Sequence, residues 1–140
     1  MLNLNNKRDA HIDQRLRSEP MIWFSTVRPD GRPHLVPVWF FWDGATMLIF
    51  SQPDNQKIRN LRNNPAVSLA LEAANQGEDI VMLEGTATLV DEPGLKASMP
   101  AYAKKYDALL KRMGMSATQM AASYSQAIRI TPTRFIAWGV

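Results

Sequence analysis

The sequence predicts a small antiparallel β-barrel with short helices, and three observations carry that expectation. Runs rich in aromatic and β-branched residues recur at close spacing over about seven predicted strands. Turn chemistry stands between them, notably Pro29-Asp30-Gly31 and Asp43-Gly44. Of the 140 residues, 46% are apolar and 21% charged, which suits one buried core and one domain over residues 1–140.

The elements follow in chain order. Residues 1–20 are an N-terminal helical segment. Within Asp9–Ser18, Ile12 and Leu16 stand four residues apart among charges, and Pro20 ends the helix. Met21–Val27 (MIWFSTV) reads as the first strand, followed by a tight turn at Arg28-Pro29-Asp30-Gly31. His34–Trp42 (HLVPVWFFW) is apolar at nearly every position and reads as one strand buried on both faces. Asp43-Gly44 turns the chain into Ala45–Ser51, so three consecutive strands would form a meander. Pro53-Asp54-Asn55 breaks the strand and offers caps for a helix over Gln56–Asn63, whose Ile58 and Leu61 keep helical spacing. Pro65 closes that helix. Ala66–Leu71 alternates, residues 74–78 are a polar loop, and Asp79–Val90 is a long alternating strand. In it Val81, Leu83, Ala87 and Leu89 face one way, and Met82, Glu84, Thr86 and Thr88 the other. Residues 93–123 turn to helix formers, a helical insertion with breaks expected at Pro100 and Gly114. Gln126–Thr131 and Arg134–Trp138 read as two short strands around Pro132.

Composition excludes several function classes. The formal charge of +3 is too small to imply nucleic acid and fits a small anionic ligand. The absence of cysteine removes disulfides, thiolate metal sites and cysteine nucleophiles. Two histidines leave little for a metal cage; His11 reads as structural and His34 as a surface or satisfied histidine. The longest apolar run, Leu35 to Trp42, is far short of a membrane span. The N-terminus has no apolar signal-peptide core, so a cytoplasmic protein without a membrane partner is expected. No dinucleotide fingerprint, phosphate loop, nucleophile elbow or zinc-protease motif occurs. No catalytic residue can be named, and an enzyme of this composition would take its reactivity from a cofactor.

One segment carries chemistry. Lys57 falls in the first turn of the Gln56–Asn63 helix, where unpaired amides and the helix dipole favour an anion. With Arg59 nearby, this is a candidate phosphate site. Val36–Phe41 and Phe50-Ser51 could supply an apolar wall and backbone hydrogen bonds for a planar ring. A solvated basic helix face beside an ordinary core fits the same residues.

The segment resembles the pyridoxamine 5′-phosphate oxidase-like superfamily of FMN-binding split β-barrels, and within it the branch of probable deazaflavin (coenzyme F420)-dependent enzymes. The match runs through Pro37-Val38-Trp39-Phe40, Asp43-Gly44 and Ile49-Phe50-Ser51, then Lys57-Ile58-Arg59-Asn60-Leu61 and Asn63-Asn64-Pro65-Ala66-Val67-Ser68-Leu69. Glu84-Gly85-Thr86-Ala87, Arg129 to Phe135 and Ala137-Trp138-Gly139 continue it. The resemblance implies a split barrel and a homodimer with two flavin-type sites at the subunit interface. It implies that Val36, Pro37, Val38 and Trp39 lie along the ring, while Phe50, Ser51, Gln56 and Lys57 hold the phosphate end. This sequence departs from true oxidases: Gln56 stands where Arg is usual, Val36 and Phe41 where Arg and Lys are usual, and Ile80 where a flavin-contacting glutamine falls. Pyridoxamine phosphate oxidation is therefore not expected, and an apolar strand suits a deazaflavin ring better than FMN.

Single residues keep two readings each. Trp39 and Trp42 suit either the ring or the core. Pro37 breaks the ladder, marking an edge strand or freeing a group for a ligand. Glu84 faces solvent or pairs with a base across a dimer. Met99, Met113, Met115 and Met120 are adaptable packing or the wall of a hydrophobic substrate pocket. The expected function is hydride transfer between reduced coenzyme F420 and a small organic acceptor. The alternatives are an FMN-dependent oxidoreductase of the same fold, or a non-catalytic flavin- or haem-binding protein.

Overall fold

The computed structural model describes residues 1–91 and 99–139. Helix α1 (Lys7–Ser18) precedes strands β1 (Ile22–Val27), β2 (Pro33–Val38), β3 (Phe41–Trp42) and β4 (Met47–Ser51). Helix α2 (Gln56–Asn63), β5 (Ala66–Leu71) and β6 (Ile80–Val90) follow. Three short helices come next, α3 (Met99–Lys105), α4 (Asp107–Arg112) and α5 (Ala117–Ser123), and then β7 (Gln126–Trp138). Residues 93–98 of the predicted insertion lie outside the described residues.

The strands form one antiparallel sheet in the order β2-β1-β5-β6-β7-β4-β3. β2 and β3 stand at opposite edges, yet only Trp39 and Phe40 separate them in the chain. Three Cα steps span at most about 11 Å, so the two edges must approach one another. The sheet therefore curls into a barrel whose seam is crossed by this chain segment, the split-barrel form. This corrects the single strand expected over His34–Trp42 and the expected meander. β2 pairs with β1, whereas β4 pairs with β3 and β7. The inward parity continues through the bend: Val38, Phe40 and Trp42 are all buried. A period of two survives a bend, so the pattern conceals it.

Two apolar clusters result. The barrel interior gathers Phe24, Phe40, Trp42, Ile49, Leu83 and Ile128 with the inner sides of α1 and α2. A second cluster joins Tyr102, Tyr106, Leu110 and Met120 of the helical segment to Trp39, Phe41 and Phe50 on the barrel. The expected double-sided burial of the His34–Trp42 run is met in part by these helices, while Leu35 remains 60% exposed.

Two expected breaks are otherwise. Pro100 lies within the first turn of α3, where its missing N–H costs no hydrogen bond. Pro132 lies inside β7, which runs unbroken past a bulge: Glu84 pairs with Arg134 and Gly85 with Pro132, leaving Thr133 as the extra residue. Gly114 does end a helix. At φ +69 it lets its own N–H reach Lys111 O (3.1 Å) and that of Met115 reach Leu110 O (2.9 Å). His11 is structural, its Nε2 2.8 Å from the buried carboxylate of Asp79, which also receives Arg15 at 3.1 Å. Glu84 faces solvent with Arg134 4.0 Å away on the neighbouring strand.

Candidate functional site

The seam crossing needs outside partners, because Phe40 lies in neither strand. Its N–H donates to the Tyr106 hydroxyl (2.8 Å) and its carbonyl accepts from Lys105 Nζ (2.7 Å). The Tyr106 hydroxyl is then free to donate to Pro20 O at 2.7 Å. The Tyr106 ring stacks on Trp39, with centroids 4.3 Å apart and planes at 4°. Burial pushes the Tyr106 phenol up and lowers Lys105 to about 8, although its ammonium sits 3.7 Å from the Phe40 ring centroid. The end of α3 thus fixes the seam, and beside it a pocket of about 290 Å³ opens.

Pro37, Val38 and Trp39 form one wall of this pocket, Phe50 at the end of β4 another, and Lys57 of α2 reaches it from the barrel. Tyr102 and Tyr124 line it from the helical segment, with Met113, Met115 and Met120. Of the predicted site residues, the structure brings Pro37, Val38, Trp39, Phe50 and Lys57 together. Val36 instead packs against the barrel interior. The buried Ser51 hydroxyl is engaged by its own turn, with Gln52 O at 2.8 Å and Asn55 Oδ1 at 3.2 Å. Gln56 donates to Asn60 Oδ1 (2.7 Å), and Asn60 donates to Thr26 Oγ1 (2.9 Å), a buried chain that ties α2 to β1. Arg59 is turned to Gln56 and the Asp54 carbonyl, away from the pocket.

Lys57 differs from these. It is partly buried, makes no ion pair or hydrogen bond among the described residues, and burial lowers its pKa. Asn55 at the N-cap makes no side-chain capping bond, since its amide oxygen faces Ser51, so among the described residues no side chain competes for the first-turn amides. A desolvated ammonium beside uncapped helical amides is electrostatically prepared for an anion. The rest of the wall is apolar and aromatic, suited to a flat ring.

Trp42 belongs to the core, donating to Asp13 at 2.9 Å, whereas Trp39 borders the pocket. His34 is not satisfied as expected. Its Nδ1 is sealed from solvent without a partner, and burial with Arg28 and Lys57 nearby lowers its pKa, keeping the ring neutral. The sequence reading missed Tyr102, Tyr106 and Tyr124. The i,i+4 spacing of Tyr102 and Tyr106 was the available signal, since it sets two aromatic rings on one helix face. Among the described residues no three His, Asp or Glu side chains gather to hold a metal ion. No helix there is long and apolar enough to cross a membrane.

The sequence profile of pyridoxamine 5′-phosphate oxidase matches residues 9–139. The solved structure of an F420 reductase is 27% identical, covering 88% of this chain and 94% of its own, with a TM-score of 0.68. A conserved hypothetical protein of Mycobacterium tuberculosis is 27% identical over 92% of this chain and 82% of its own, with a TM-score of 0.73. The haem storage protein of Vibrio cholerae shares the fold at 17% identity, covering 93% of this chain and 92% of its own, with a TM-score of 0.64.

Proposed function

The chain belongs to the pyridoxamine 5′-phosphate oxidase family, and from that premise we propose that it is a homodimeric oxidoreductase that uses coenzyme F420 to reduce a small organic acceptor. The fold is that of flavin-type oxidoreductases. The observation that carries the reading is Lys57, a partly buried lysine without a counter-ion among the described residues, opening into an aromatic-walled pocket. These residues fit a phosphorylated planar coenzyme. Lys57 and the first-turn amides of α2 would hold the phosphate, and Pro37, Val38, Trp39 and Phe50 would border the ring. The coenzyme supplies the hydride chemistry when bound. The protein's own part is positioning and exclusion of water: Trp39, pinned by Tyr106, and Met113, Met115 and Met120 would close the site. The apolar residues Val36 and Phe41, where true oxidases carry bases, favour the deazaflavin over FMN.

The test is titration of coenzyme F420, FMN and haemin into the purified protein, read by tryptophan fluorescence. Tightest binding of coenzyme F420 is the expected result. Tightest binding of FMN would replace the cofactor, and binding of haemin alone would favour storage over catalysis. A charge-assisted hydrogen bond contributes roughly 1.5–3 kcal/mol, so Lys57→Ala should weaken coenzyme binding about ten- to a hundred-fold. An unchanged titration would remove the phosphate role.

A further inference from the structure

Tyr102 is only 2% exposed, and its hydroxyl has no hydrogen-bond partner among the described residues. Buried tyrosines normally find one, because an unpaired hydroxyl forfeits its hydration. The hydroxyl is not sealed either. Among the described residues the unpartnered side-chain atom cut off from solvent is His34 Nδ1. A hydroxyl that is unpartnered among the described residues and not sealed, on a side chain this buried, points to an opening. The opening that Tyr102 lines is the pocket. Its ring cannot easily swing away, being set edge-on to Phe50 (centroids 4.8 Å, 84°) and against Tyr106 (5.2 Å).

We propose that Tyr102 is a specificity-determining hydrogen-bond donor for the acceptor substrate, selecting apolar molecules that carry a ketone-type oxygen. Burial, with the phenols of Tyr106 and Tyr124 nearby, pushes its pKa up, so the donor keeps its proton across the neutral range. The surroundings define the rest of the ligand. Phe50, Met113, Met115 and Met120 offer adaptable apolar contact and no further hydrogen bond to a neutral molecule. A site built to donate to an oxygen discriminates against the analogue lacking it. The inference rests on the oxidoreductase reading only in calling the ligand a substrate.

The experiment uses a matched pair of probes, 1-tetralone and tetralin, which share a skeleton and differ in the carbonyl. Their binding to the full chain is followed by ligand-observed NMR in wild type, Tyr102→Phe and Lys57→Ala. Tetralone should bind Tyr102→Phe about tenfold more weakly than wild type, tetralin equally to both, and the loss of tetralone affinity should be larger in Tyr102→Phe than in Lys57→Ala. Equal tetralone affinity in wild type and Tyr102→Phe, parallel loss of tetralin, or no measurable binding of tetralone to wild type overturns the proposal. Coenzyme F420 is titrated into the same three proteins. A loss confined to coenzyme affinity in Tyr102→Phe assigns the donor to the coenzyme and overturns the substrate role. If no protein binds coenzyme F420 or FMN while the tetralone pattern holds, the oxidoreductase reading fails and the Tyr102 assignment stands.

Discussion

Phe40 shows how one residue's backbone can organise a site. Lying between two strand edges, it would have both main-chain groups unpaired, and Lys105 at the end of α3 and Tyr106 just after it meet them. Tyr106→Phe leaves the buried Phe40 N–H without this partner and also removes the part-buried bond to the Pro20 carbonyl. A loss of about 1–3 kcal/mol is expected, read as a lowered urea midpoint at unchanged slope. Tyr102→Phe removes a hydroxyl without a partner among the described residues and should shift stability by less than about 0.5 kcal/mol. The same substitution at two neighbouring tyrosines thus separates a structural hydroxyl from a ligand-facing one. Lys105 adds a pH signature. Its native pKa is lowered to about 8, mainly by burial, so between pH 8 and the ordinary lysine value of 10.5 the unfolded chain binds more protons than the native one. Stability from this group therefore rises with pH across that window and is lowest below it. After allowance for solvent screening the gain is on the order of 1 kcal/mol. Lys105→Met, compared with wild type by urea unfolding at pH 7.5 and 10, should abolish the increment; an equal pH response in both proteins would contradict it.

Among elements, the β6–β7 pair is the longest ladder and carries the sharpest packing constraint. At Gly85, opposite the Thr133 bulge, an added Cβ would overlap the Thr131 carbonyl, which belongs to a paired backbone and cannot retreat cheaply. Gly85→Ala should cost about 1–3 kcal/mol, seen as a fall in thermal midpoint. A midpoint within a degree of wild type would show that the bulge yields. The bulge also shows where sequence reading runs out. Pro132 is a local breaker, and local signals divide β7 in two; the tertiary ladder bridges it by displacing one residue. By contrast α2 and β5 keep their predicted bounds, Gln56–Asn63 and Ala66–Leu71, because Pro53 and Pro65 bracket the helix and Pro65 also marks where the strand begins. The seam at Trp39–Phe40 was illegible for the opposite reason: no breaker stands at either residue, and the inward parity of Val38, Phe40 and Trp42 runs through. The site divides similarly. Lys57, Phe50 and Pro37–Trp39 lie on elements whose order fixes their neighbours, so five predicted residues meet in one pocket. Ser51 and Gln56 stand beside them in sequence, but short-range hydrogen bonds turn both inward to hold the α2 entry. Tyr102 and Tyr124 come from a helical segment whose docking no local pattern encodes.

At the scale of the molecule, barrel closure hides the sheet edges at the seam but leaves an apolar outer face. Leu35 (60% exposed) and Trp23 (37%) stand on it, with Ala70, Met82 and Ile136 along the same groove. A contiguous apolar patch on a soluble protein marks an interaction surface. Stable interfaces take about 800 Å² from each partner, about a tenth of this chain's surface of 7884 Å². Leu35 pairs with Ser25 inside the β1–β2 ladder, so its backbone is fixed while its side chain points away from the barrel. We therefore expect a homodimer built on this face, and Leu35→Asp to dissolve it. A carboxylate there loses its hydration on association without a partner charge, a penalty of several kcal/mol counted twice in a symmetric dimer. The monomer's own fold should be unaffected, because the replaced side chain is mostly solvated. Sedimentation at about 10 μM should give a dimer for wild type and a monomer for Leu35→Asp, with superimposable circular dichroism. A wild-type monomer, or a dimer that survives the substitution, would move the interface elsewhere or remove it.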